Sequence, residues 1–133
     1  AVRAGGGRNH RMGLDDAILI KDNHIAVAGS ITEAIRRAKA YAGHLIPIEV
    51  EVDTIDQLKL ALEEGINLVL LDNMPPETLK EAVKLCQGKC LTEASGGISP
   101  ETVLEVAKTG VNFIAMGWIT HSAKSLDIGL DYV

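Results

Sequence analysis

The 133-residue chain is 47% hydrophobic and 23% charged, with a net charge of -5, the balance of a soluble globular domain. With aromatics at 3% and no basic excess, it lacks the cationic stripe and stacking rings of a nucleic-acid binder, and no apolar run reaches the ~18–20 residues of a membrane span. Cys86 and Cys90 are too few for a disulfide framework and read as buried reduced thiols, consistent with a cytoplasmic setting. The chain opens on Ala1, without methionine and in mid-motif, and so reads as a fragment, a processed chain or a trimmed piece.

Strands and helices alternate along the sequence. "AILI" (17–20) predicts a short strand, and "SITEAIRRAKAYAG" (30–43) an amphipathic helix with Ser30 and Glu33 as a capping box and Gly43 at its C-terminal end. "IPIEVEV" (46–52) predicts a strand with Glu49 and Glu51 on one face and Ile48, Val50 and Val52 on the other. A helix over 54–65 follows, boxed by Thr54 and Gln57, then a fully apolar strand over 67–72. Residues 75–88 predict a helix opened by proline, and 89–95 a strand. Residues 99–110 predict a helix with Ser99 as N-cap and Pro100 at N1, and 111–116 a last strand. One helical turn and an extended end complete the chain. Repeated βα units make either a doubly wound sheet or an α/β barrel. No G-x-G-x-x-G follows the first strand, which disfavours the dinucleotide-binding form. A full barrel takes roughly 200–250 residues, so five strands in one domain over 1–133 amount to most of an open, TIM-like barrel.

In βα folds, chemistry gathers at the C-terminal strand ends. The five ends here carry Lys21-Asp22-Asn23-His24, Glu51-Val52-Asp53, Asp72-Asn73, Ser95-Gly96-Gly97 and Gly117. Glycine turns in "EASGGIS" (93–99) and "AMGW" (115–118) suit phosphate, because glycine lets backbone N–H groups close on an anion. Glu51 and Asp72 could hold Mg²⁺, grip sugar hydroxyls or stabilise a cationic transition state. Glu49 is either a structural polar residue of a barrel interior or a functional one. Upstream, "AGGGRNHRMGLDDAILIKDNHI" (4–25) sets Arg8, His10, Arg11 and Lys21 around three glycines. Charge-assisted bonds of ~1.5–3 kcal/mol each would let several such groups draw a small dianion out of water. No H-x₃-H or Cys/His spacing supports a metal held by His10 and His24.

These stretches, with "EVEVDT", "LLDNM", "EASGGIS" and "GWITHS…LDIGLDY", resemble the C-terminal barrel of quinolinate phosphoribosyltransferases along the whole chain. The resemblance implies transfer of phosphoribose from phosphoribosyl pyrophosphate (PRPP) to quinolinate with loss of pyrophosphate and CO₂. The product is nicotinate mononucleotide, a step of NAD biosynthesis. It also implies Mg²⁺ and a homodimer. By position, His10, Arg11 and Lys21 would bind the quinolinate carboxylates. Glu51 and Asp72, with Lys21, would be catalytic, the two carboxylates facing ribose and Mg²⁺. Ser95, Gly96, Gly117 and His121 would cradle the 5′-phosphate. The family's N-terminal α+β domain, the cations just upstream of residue 1 and an arginine of the partner subunit are absent from this sequence. The isolated chain is therefore expected to be nearly inactive. Trp118 stands where the family usually has a small residue. Two other readings remain open: a paralogous barrel with another anionic substrate, and a non-catalytic barrel fragment or scaffold. An unrelated phosphosugar isomerase or aldolase barrel would want a Schiff-base lysine or a Glu/His acid–base pair inside the barrel, and Lys21 is the only strand-end lysine.

Overall fold

The computed structural model describes residues 1–132. Their elements run β1 (Ile18–Ile20), α1 (Asp22–Ala28), α2 (Ile31–Tyr41), β2 (Ile48–Val52), α3 (Ile55–Glu63), β3 (Leu68–Asp72), α4 (Pro76–Cys86), β4 (Leu91–Ser95), α5 (Val103–Ala107), β5 (Phe113–Ile114) and α6 (Trp118–His121). All strands are parallel, and their spatial order is their chain order, β1-β2-β3-β4-β5. A parallel crossover is right-handed, so a strand order that never reverses puts every crossover helix on the same face. Consecutive helices α2, α3, α4 and α5 accordingly touch their neighbours in one layer. This is the winding of a barrel wall, and it excludes the doubly wound alternative.

Strand alternation then sorts the side chains. Val50, Val52, Val69 and Leu71 are fully buried against the helix layer, together with Ile35, Leu58 and Leu79. The residues between them, Glu49, Glu51, Leu70, Asp72, Glu93 and Ser95, fall on the opposite, concave face.

Local sequence explains the elements and the departures from expectation. Thr54 and Gln57 form the reciprocal capping box of α3, and Ser30 accepts from the Glu33 backbone N–H at the head of α2. α1 lies where the sequence reads only as a strand end. Its cap is unconventional: the His24 ring Nδ1 accepts from the Lys21 backbone N–H at 2.9 Å, and Gly29 closes it in the left-handed region at φ 92. α2 stops at Tyr41, with extended Ala42 rather than Gly43 as its cap. The helix expected from Ser99 begins only at Val103. Ser99 does not cap it, because its hydroxyl bonds Glu101 while its carbonyl accepts from both Thr102 and Val103 N–H in a tight turn. β4 begins after Cys90, and β5 is confined to two residues. A side-chain clasp extends the last pairing: Asn112 Oδ1 accepts from Thr92 N–H at 2.9 Å and lies 3.1 Å from the Thr92 hydroxyl. Beyond α6 the chain has no regular structure up to residue 132, and Val133 of the expected extended end lies outside the described residues.

Thr92 is 1% exposed, so Asn112→Ala would leave buried donors unsatisfied at a cost of about 1–3 kcal/mol. Urea unfolding should show that loss, and an unchanged midpoint would mean the clasp does not hold β5.

Candidate active site

The parallel sheet delivers Lys21, Glu51, Asp72 and Ser95 to one rim. Lys21 leaves β1 as the N-cap of α1, and its Nζ reaches Glu51 Oε2 at 2.5 Å. The Glu51 hydrogen bond, together with the nearby charges of Glu51 and Asp72, pushes the Lys21 ammonium above its usual range. The pair is thus a charged unit, with Asp72 as a second carboxylate in its field. Asp72 Oδ2 accepts from the Asn73 side chain at 2.6 Å.

Asn73 ties this group to the glycine turn. It sits in the left-handed region at φ 51, and its backbone N–H donates to the Ser95 carbonyl at 2.9 Å. Gly96 follows at φ 94, so close to Asn73 that a Cβ there would strike the carboxamide and come within 2.8 Å of the Asn73 nitrogen. Glycine is required at 96 on both counts. The sequence places Asn73 at the third strand end beside Asp72 but gives no sign that it bonds both Asp72 and Ser95.

Ser95, Gly96, Gly97, Ser99, Gly117 and His121 come together around a cavity of about 320 Å³. Gly117 lies under the His121 ring, where a Cβ would sit 3.3 Å from Nε2. Ser122 Oγ engages the other ring nitrogen at 2.9 Å. Trp118 lines the same cavity and is 37% exposed. The four residues expected to hold a phosphate therefore share one hollow.

His10 and Arg11 occupy a different level. With Arg8 they border a second cavity of about 560 Å³, which also touches Asn112 and, on the concave face, Glu49, Glu93 and Phe113. His10 Nε2 lies 3.1 Å from Glu49 Oε2 and 3.3 Å from Glu93 Oε1, the first contact alone having hydrogen-bond geometry. Lys21, paired with Glu51 at the rim, is not among the residues that border this cavity. Burial, and for Glu49 the neighbouring Glu93, pushes both carboxyls above the ordinary range against the opposing pull of His10. Glu93 was not among the sequence-derived candidates; it reads as one more strand residue until the fold turns it inward.

The family model described as "Quinolinate phosphoribosyl transferase, C-terminal domain" matches residues 1–131. The chain belongs to the quinolinate phosphoribosyltransferase family. A Bacillus subtilis relative named "Probable nicotinate-nucleotide pyrophosphorylase", carboxylating, is 53% identical over 98% of the chain and 45% of its own length. The carboxylating nicotinate-nucleotide pyrophosphorylase of Mycobacterium leprae is 49% identical over 98% of the chain and 47% of its own. The crystal structure of NadC from Streptococcus pyogenes superposes with a TM-score of 0.89 at 42% identity, covering 99% of the chain and 47% of that protein. The chain thus spans about half the length of the curated relatives it matches. Among the described residues, no helix is long and apolar enough to cross a membrane.

The raised carboxyls make a pH prediction for this chain. A carboxyl whose folded pKa exceeds its unfolded one binds more protons when folded, so its stabilising effect is complete at low pH and is lost as pH rises. In chelator-treated protein, stability should fall as pH climbs from about 4.5, the ordinary glutamate value. The fall should flatten in a Glu49→Gln/Glu93→Gln double variant. Urea midpoints against pH check this, and identical slopes for the two proteins would refute it. Separately, Gly96→Ala should destabilise by about 1–3 kcal/mol through its positive φ and the Asn73 clash; thermal unfolding at wild-type values would contradict that.

Proposed function

We propose that this chain is the barrel portion of an enzyme that transfers phosphoribose from PRPP to quinolinate, yielding nicotinate mononucleotide, pyrophosphate and CO₂. The observation that carries the reading is the gathering of the Lys21–Glu51 pair, Asp72 and the Ser95–Gly97/Gly117–His121 hollow on one rim. A phosphosugar needs just these neighbours: amides and an imidazole for its phosphate, and carboxylates beside the carbon that becomes cationic.

In this reading the backbone at Gly96 and Gly117, the Ser95 hydroxyl and His121 hold the 5′-phosphate. Glu51 and Asp72 face the ribose and stabilise positive charge as the bond from the anomeric carbon to pyrophosphate breaks. The pyridine nitrogen supplies the electron pair for the new bond. The adjacent carboxylate then leaves as CO₂, and a proton replaces it on the ring. Arg11 and His10 from the deeper cavity, and Lys21 from the rim, hold the two carboxylates of quinolinate during these steps, Arg11 by its two-pronged guanidinium.

Mg²⁺ fits Glu51 and Asp72, because it is commonly held by one or two carboxylates together with substrate phosphates. Two carboxylates against one Lys21 ammonium leave a net negative charge for it. Bound there, it would neutralise charge on departing pyrophosphate. The same resemblance supports a homodimer and a cytoplasmic setting, although relatives from Arabidopsis thaliana and rice are named as chloroplastic. Retention of His10, Arg11 and Lys21 favours quinolinate over another anionic substrate.

Calorimetry with quinolinate tests the substrate assignment. Binding should weaken about 10- to 150-fold in Arg11→Ala, matching a charge-assisted pair of ~1.5–3 kcal/mol. Absence of binding, or equal affinity in the variant, would overturn the assignment.

A further inference from the structure

The layers of an α/β barrel are ordinarily filled by branched aliphatic side chains drawn from alternate strands. Here the alternate strands β2 and β4 supply Glu49 and Glu93 instead. Along the ladder Glu49 is level with Leu68, and Leu68 with Leu91, so Glu93 lies two residues further on. The shear of a barrel wall, about one residue per strand, removes that offset and brings the two carboxylates together. They are 5% and 7% exposed, yet one oxygen of each, Glu49 Oε1 and Glu93 Oε1, has no hydrogen-bond partner. Carboxylates so buried are ordinarily paired or bound to metal. One ligand atom from each of His10, Glu49 and Glu93 lies within 4.8 Å of the others.

We propose that His10, Glu49 and Glu93 form a three-ligand site for a divalent transition-metal ion, separate from the rim carboxylates. Two carboxylates and an imidazole are a mixed oxygen and nitrogen set, suited to Zn²⁺, Co²⁺ or Mn²⁺ rather than to the all-oxygen preference of Mg²⁺. Metal–ligand bonds of ~2.0–2.2 Å in a tetrahedral site imply ligand–ligand edges of roughly 3.3–3.6 Å. The two edges from His10 Nε2 measure 3.1 and 3.3 Å, so small side-chain movements would admit the ion. A fourth position would open into the cavity bordered by Arg8 and Arg11, leaving room for water or an anionic ligand. Metal on Nε2 would place the His10 proton on Nδ1. The site is therefore compatible with dicarboxylate binding and does not depend on it.

The 133-residue chain, stripped with chelator, should bind one Zn²⁺ per molecule by calorimetry, more tightly than Mn²⁺. Glu93→Gln and His10→Ala should each weaken Zn²⁺ by about tenfold or more. Co²⁺ should give visible absorption that His10→Ala abolishes. No one-to-one binding would overturn the proposal. So would binding that survives both variants, or that is lost instead in Glu51→Gln or in the Cys86→Ser/Cys90→Ser double variant. Should Glu93→Gln fail to fold, His10→Ala, on an irregular loop, still decides. Quinolinate binding that persists in the stripped protein separates failure here from failure of the proposed function.

Discussion

Five parallel strands set side by side in chain order constrain everything else in this molecule. Each crossover is right-handed, so each helix falls on the same side, and every strand points its C-terminal end at the same rim. The aliphatic residues at alternate positions, Val50, Val52, Val69 and Leu71, are consumed by the helix layer. The intervening positions are left free to carry Glu51, Asp72 and Ser95. The sheet's winding brings these residues together from positions up to 44 apart in the sequence, with no local motif required.

Two levels of polar chemistry result. At the rim, Lys21 and Glu51 are paired, Asp72 is held by Asn73, and the backbone of Asn73 is bonded to Ser95. The phosphate-type hollow and the carboxylate group are therefore mechanically joined through one residue in an unusual backbone conformation. One layer deeper, Glu49 and Glu93 are buried among groups that satisfy only part of their bonding capacity, with His10 brought to them by the glycine-rich loop. The proposed phosphosugar site lies on the first level, and the proposed transition-metal site on the second.

Much of this was legible in the sequence. Alternation of Glu49 and Glu51 with valines gave β2 its two faces, and the Thr54/Gln57 box located α3. The strand ends named the rim, because a short polar or glycine segment after an aliphatic run has few other uses. What was not legible depends on three-dimensional placement or on unusual caps. α1 was hidden because its N-cap is Lys21, whose backbone N–H donates to the His24 ring, rather than a serine or threonine. The helix after Ser99 was overextended because Ser99 spends its hydroxyl on Glu101. Glu93 is not legible because its approach to Glu49 and His10 arises from barrel shear across an intervening strand, which periodicity in one strand cannot reveal. That Lys21 rests on Glu51 and His10 on Glu49 is likewise a matter of which strand stands beside which, and eleven residues of intervening sequence do not show it.

The central claim is that the rim is a phosphosugar site, and residue-resolved NMR tests it most directly. Titrating the labelled chain with ribose 5-phosphate should shift the amides of Ser95, Gly96, Gly97, Gly117 and His121, saturably and together. Gly88 and Gly110, in the turns that feed the opposite ends of the strands, should stay still. Shifts spread evenly over both ends of the sheet, or confined to the loop around Arg8 and Arg11, would contradict the account.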